Sequence, residues 1–147
     1  MSNIENSEVM RRVLSTLFHI SRRKTTAGYA VFTMDNLLRE LEEKFSFLRH
    51  VEIKDTRYVE DDDTISVLSE IDNVNPSEFG NALQEIISKM NISLGNNAGH
   101  FFIREIQKNL GDEFNTTMKD FGVDLGVMQL ESEVHRLEKD ISKKKLD

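Results

Sequence analysis

The chain has 147 residues, no cysteine, a single proline and a formal charge of −7, with 38% apolar and 31% charged residues. These proportions belong to a folded chain of one domain rather than a disordered one, and they exclude disulfides, thiolate chemistry and sulfur-ligated metals. No apolar run approaches the roughly 18 residues of a membrane span, and MSNIENSEVMRR lacks the charged-then-apolar order of an export signal, so the expected location is the cytoplasm, with no membrane partner.

Ser7 is a candidate cap for a first helix in which Val9, Val13, Leu17 and Ile20, with Met10, Leu14 and Phe18 alongside, make a broad apolar stripe. Charge is uneven along it. No acid occurs between Glu8 and Asp35, whereas Arg11, Arg12, Arg22, Arg23 and Lys24 contribute +5, leaving −12 for the rest of the chain. An acid-free helix ending in RRK, followed by Thr25 and Thr26 at a helix start, joins cations to free backbone N–H groups and is a candidate anion or nucleic-acid contact. No glycine-rich loop precedes it, so a Walker-type phosphate loop is excluded. A solvated turn between helices is the plain alternative, and the overall negative charge disfavours loose binding to nucleic acid or anionic lipid.

A second helix is expected from about Thr26 to about Phe45, with Leu37, Leu38, Leu41 and Phe45 inside and Arg39, Glu40, Glu42 and Glu43 outside. Tyr29, Val31 and Phe32 at its start would also suit a short strand. From Phe47 the pattern becomes partly alternating and β-branched, which predicts a hairpin with strands from Arg49 to Thr56 and from Thr64 to Ile71 around a long acidic turn. Two strands alone are marginal, so the hairpin must lie on helices or pair with another chain. The run Glu60 to Asp63 offers carboxylates to a hard cation but lacks the ligand spacing and glycine of an EF-hand.

The stretch from Asn75 to Gly111 predicts a helical hairpin at the core. Asn75 is a cap, Pro76 stands where its missing N–H costs nothing, and Glu78 follows the Asn by three residues, as in a capping box. Phe79, Leu83, Ile86, Met90 and Leu94 then form one stripe, and Gly95 suits a C-terminal left-handed residue. Asn96 or Asn97 opens the next helix, whose Ala98, Phe102, Ile106 and Leu110 share a face before Gly111 ends it. Asp112 or Glu113 starts a further short helix with Phe114, Met118 and Phe121, closed by Gly122.

Residues 126–147 form a candidate protruding oligomerisation helix on a single mostly helical domain spanning 1–147. Val127, Val134 and Ile141 occupy a-type and Leu130 and Leu137 d-type heptad positions, a choice suited to two parallel strands. In a parallel pair Glu133 and Glu138 meet as like charges, and an antiparallel pair is less troubled by this. The plain alternative packs the helix on its own domain. Lys143, Lys144 and Lys145 suit the negative end of its macrodipole.

His19, His50, His100 and His135 have no metal-ligand spacing. His100, after Gly99 and beside Phe101 and Phe102, is a candidate wall of a pocket between helices. No nucleophile elbow, dinucleotide fingerprint or convincing carboxylate pair is present, so catalysis has no positive support and no cofactor is expected. The expected fold is α+β and mostly α, with about six helices and one small antiparallel hairpin. The expected function is a small interaction or regulatory module presenting helical surfaces to itself, as a homodimer, or to another protein. The alternatives are a nucleic-acid-associated protein using Arg11 to Lys24, and a small-molecule sensor or enzyme with an inter-helix pocket.

Overall fold

The structure, a computed structural model, describes residues 4–54 and 65–145, apart from the side chains at 140 and 142–145. In chain order the elements are α1 (Asn6–Lys24), α2 (Ala27–Leu41), β1 (Val51–Ile53), β2 (Ile65–Val67), α3 (Pro76–Leu94), α4 (Phe102–Asp120) and α5 (Leu125–Lys145). Short 3-10 turns occupy Ser46–His50, Ser69–Asn73 and Gly95–Asn97. The class is α+β and mostly α, with five helices among the described residues instead of about six.

Val9, Met10, Val13, Leu14, Leu17, Phe18 and Ile20 are all buried. What α1 leaves exposed is one sector carrying Glu8, Arg11, Arg12, His19, Arg22 and Arg23. A helix apolar around so much of its circumference needs neighbours on most sides. Accordingly α1 packs against α2, α3, α4, β2 and the turn at Ser69–Asn73. Its N-terminus corrects the expectation for Ser7. The N-cap position is Glu5, which makes no side-chain capping bond, and the Ser7 N–H donates to Asp72 Oδ1 at 2.8 Å. Asn6 Nδ2 donates to the carbonyls of Ile71 and Val74 at 3.1 and 3.2 Å. One orphan backbone donor of the helix start, the Ser7 N–H, is thus met by a turn far away in sequence, and the Asn6 side chain ties the same turn to the helix.

In α2 the Thr26 hydroxyl accepts from the Tyr29 N–H at 3.1 Å, so Tyr29, Val31 and Phe32 lie in the first turns of a capped helix rather than in a strand. The helix stops at Leu41, earlier than expected, and a turn carries Phe45 into the core beside Phe47, ring centroids 6.0 Å apart. Arg39, expected only on the outer face, donates through Nη2 to the carbonyls of Val51 at 2.7 Å and Leu48 at 3.3 Å. At the next residue Glu40 of α2 meets Lys89 of α3 at 2.8 Å, a hydrogen bond that raises the lysine's pKa.

The strands pair antiparallel, with Val51 opposite Val67, Glu52 opposite Ser66 and Ile53 opposite Ile65. Val51, Ile53, Ile65 and Val67 are buried, β1 lying on α2 and β2 on α1. Helices of the same chain therefore supply the neighbour that the hairpin requires. The expected acidic turn, including Glu60 to Asp63, lies outside the described residues.

In α3 the Asn75 side chain accepts from the Ser77 N–H at 2.8 Å, with Pro76 in the first turn. Phe79, Leu83, Ile86, Met90, Phe102, Ile106 and Leu110 are all buried as expected, but the two helices pack less on each other than on the rest of the chain, α3 mainly on α2 and α4 mainly on α1 and α5. Gly95 has φ of 56°, and α4 begins at Phe102 rather than next to Asn97. The helix count falls to five because the two helices expected on either side of Gly111 form one span, broken there at φ 84°, ψ 170°. Asn115 Nδ2 bonds the Gln107 carbonyl at 2.7 Å across that break.

Gly80 permits a close approach between α3 and the end of α4. A β-carbon there would lie 1.9 Å from the Phe121 carbonyl oxygen, while the rings of Phe79 and Phe121 meet edge-on at 4.9 Å. Leu83→Ala and Ile106→Ala should each cost about 2 to 5 kcal/mol through lost transfer energy and an unfilled cavity. Gln84→Ala and Lys108→Ala, on exposed positions, should stay within about 0.5 kcal/mol. Gly80→Ala should cost about 3 kcal/mol despite adding one methyl, because the obstruction is backbone rather than a mobile side chain. Urea denaturation of the five variants measures all of these.

Candidate functional site

Docking of α5 begins in the turn before it. Val123 and Leu125 are buried, and Asp124 Oδ1 accepts from the Val127 N–H at 3.2 Å, which caps the helix. Met128 and Gln129 are buried in the next turn, with α5 packed on α4. A buried amide needs partners, and Gln129 has three. Its Oε1 accepts from the Arg104 N–H at 3.1 Å, and its Nε2 donates to the His100 carbonyl at 2.9 Å and to Glu133 Oε1 at 3.2 Å. Phe101, at the N-cap of α4, makes no side-chain capping bond. Gln129 therefore serves the start of α4 from another helix. No local pattern marks this residue; its only signal is a polar side chain beside Met128 on the side away from the heptad stripe.

That stripe is on the surface. Val127, Leu130, Val134, Leu137 and Ile141 are each between 47% and 61% exposed. They comprise five of the ten large apolar side chains that stay exposed among the described residues, so half of that surface is gathered on one line. At 1.5 Å per residue the line runs about 21 Å. After Gln129 only Ser132, Glu133 and Arg136 are partly buried, and from Leu137 onward every described side chain is exposed. The two faces are opposed at 100° per residue, the docked one on Leu125, Met128 and Gln129 and the free one on the heptad positions.

Full burial of a Val, Leu or Ile side chain is worth roughly 1.5 to 3 kcal/mol, so covering five that are about half exposed would yield about 5 kcal/mol gross per helix. Association costs on the order of 4 to 15 kcal/mol in lost rigid-body freedom. Two such faces together would yield about 10 kcal/mol, within the range of that cost, so any contact through the stripe is at most of modest strength and flanking charges carry weight.

The basic sector of α1 is also at the surface, with Arg11, Arg12, Arg22 and Arg23 exposed along one side. Three of the five cations there serve the molecule's own contacts. Arg12 donates to the Asn109 carbonyl at 3.4 Å and lies 5.5 Å from the centre of the Phe114 ring. Lys24 and Arg23 approach the Glu105 carboxylate at 2.9 and 3.6 Å. Arg12, His19 and Arg23 line an open groove of about 510 Å³ with Glu105, Lys108 and Asn109 of α4, so an acid sits among the cations.

His100, Phe101 and Phe102 do not share a wall. Phe102 is buried in the core, whereas His100 and Phe101 are exposed in the turn before α4, with the Arg104 guanidinium 5.4 Å from the centre of the Phe101 ring. Among the described residues no helix is long and apolar enough to cross a membrane. Compared with known proteins, the chain matches no family model, no curated protein and no solved structure.

Gln129→Leu keeps volume but leaves the Arg104 N–H and the His100 carbonyl without their partner. A loss of about 1 to 3 kcal/mol is expected in chemical denaturation, with amide exchange at Arg104 accelerated more than in the middle of α4.

Proposed function

We propose that the protein is a helical interaction module whose working surface is the stripe Val127, Leu130, Val134, Leu137 and Ile141. The observation that carries this reading is the exposure of all five at heptad spacing on a helix already docked by its opposite face. Such a seam accepts another helix, knobs into holes. The chain then acts as an adaptor, its remaining helices serving to hold α5 in place. The cytoplasm is the compartment proposed for it, in keeping with a chain that has no cysteine.

Self-pairing is the simplest form of such a contact and gives a direct test. At about 1 M salt the Debye length falls to about 3 Å, so charges flanking the seam are screened. Under that condition light scattering should show a mass that rises above 17.0 kDa with protein concentration. Leu130→Asp combined with Leu137→Asp should remove the rise and leave folding stability within about 1 kcal/mol, because both sites are exposed. If the parent chain stays monomeric up to millimolar concentration in that salt, or if the double variant unfolds, the seam is not a surface for self-pairing.

A further inference from the structure

We propose that α5 receives a helix of a different protein, one with apolar residues along its own seam and lysine or arginine on both flanks, in preference to a second copy of this chain. The proposal rests on the seam reading above and adds the identity of the occupant.

Charges that border the stripe select its occupant. Projected at 100° per residue, Glu131 and Glu138 run along one edge and Glu133 along the other, at the e and g positions that meet a paired helix. Glu131 and Glu138 are exposed and Glu133 is half-buried. The basic side chains of the same stretch, Arg136 and Lys139, project from the far side of the helix, and no described cation borders the seam. A second copy therefore brings acid to acid in either direction. In a parallel pair Glu133 meets the Glu138 of the other copy. In an antiparallel pair like edges meet, so Glu131 faces Glu138, and the relief expected of that orientation does not arise. Like charges at these positions are destabilising, opposite charges favourable, and partner choice in helix pairs is set in this way.

Other candidates for the occupant fit less well. The basic sector of α1 in a second copy has the right charge, but the apolar side of that helix is buried in its own core and cannot supply a seam. An anionic membrane surface would meet the carboxylates with charge of the same sign. A helix with cationic flanks satisfies both the seam and its edges.

The chain itself supplies a probe. Glu131→Lys, Glu133→Lys and Glu138→Lys together give the same seam with basic flanks, and the corresponding triple glutamine variant gives neutral ones. Because Glu133 also accepts from Gln129 Nε2 at 3.2 Å, urea denaturation must first show that each variant keeps the parent's stability, and circular dichroism that it retains its helix. At about 0.05 M salt, sedimentation of an equimolar mixture of the parent and the lysine variant should show a one-to-one species. Its affinity should be at least tenfold tighter than that of either protein for itself, and it should weaken several-fold by about 0.5 M salt. A parent chain that dimerises as tightly alone as in the mixture would assign the seam to a second copy and overturn the proposal. If the glutamine variant self-pairs but the mixture gains nothing over it, the flanks do not choose the partner, and the proposal fails while the seam reading stands. Failure of every combination to associate at any salt sinks both.

Discussion

Placement of α1 governs the rest of the molecule. A helix with seven large apolar side chains spread over most of its circumference leaves water only one sector, and the remaining sides must be covered by something. α2, α3, α4 and β2 all serve that purpose. Contacts at both ends hold the arrangement, Asp72 at the first turn and Glu105 beside Lys24 at the last, so that the turn before α3 and the start of α4 are tied to the same helix. Once those sides are occupied, α5 is left to pack on α4, in a second layer with a single helix as its main neighbour. The exposed stripe is a consequence of this layering: an amphipathic helix with two usable faces finds a partner among the described residues for only one.

Much of this architecture was legible in the residues, and what was not legible shares a cause. The start of α3 carries its signals within four residues, Asn75 and Pro76 before the stripe, and it forms where those signals place it. Thr26 does the same for α2. By contrast α1 and α4 lack local caps, and their free donors are served by Asp72 and Gln129. A cap supplied across 65 residues leaves no trace in any short window, so Ser7 drew a role that it does not have. At Gly111 the local reading was sound, since the backbone there is not helical, but helical structure resumes at once and the two pieces form one span. Gly80 stood in a helical pattern with no mark that another backbone would pass beside it.

The candidate surfaces divide along the same line. Heptad spacing is a property of the sequence, and the stripe on α5 was readable residue by residue. Whether it faced the domain or the solvent was not, because the deciding groups, Leu125, Met128 and Gln129, lie on the other face and form no recognisable repeat. The cations of α1 were equally visible, yet their engagement by Glu105, Asn109 and Phe114 of α4 depends on a packing that no spacing encodes. Composition had assigned the carboxylates to the rest of the molecule, away from this sector; tertiary structure returned one of them to it.

Rigidity matters as much as exposure for a seam of this length. An isolated helix of about 20 residues frays in water, and a partner would have to offset the cost of ordering it. Here the first two turns of α5 are fixed before any partner arrives, by the Asp124 cap, by Leu125 and Met128 in the core, and by the three hydrogen bonds of Gln129. For Val127 and Leu130 ordering is thereby supplied by folding, whereas the later turns, which carry Val134, Leu137 and Ile141 on a largely exposed stretch of helix, add a cost of ordering to that of rigid-body entropy. The same three bonds join the orientation of α5 to the first turn of α4. A disturbance at that turn, where Lys24 of α1 pairs with Glu105 and Arg104 donates to Gln129, would therefore be felt in the direction the seam presents.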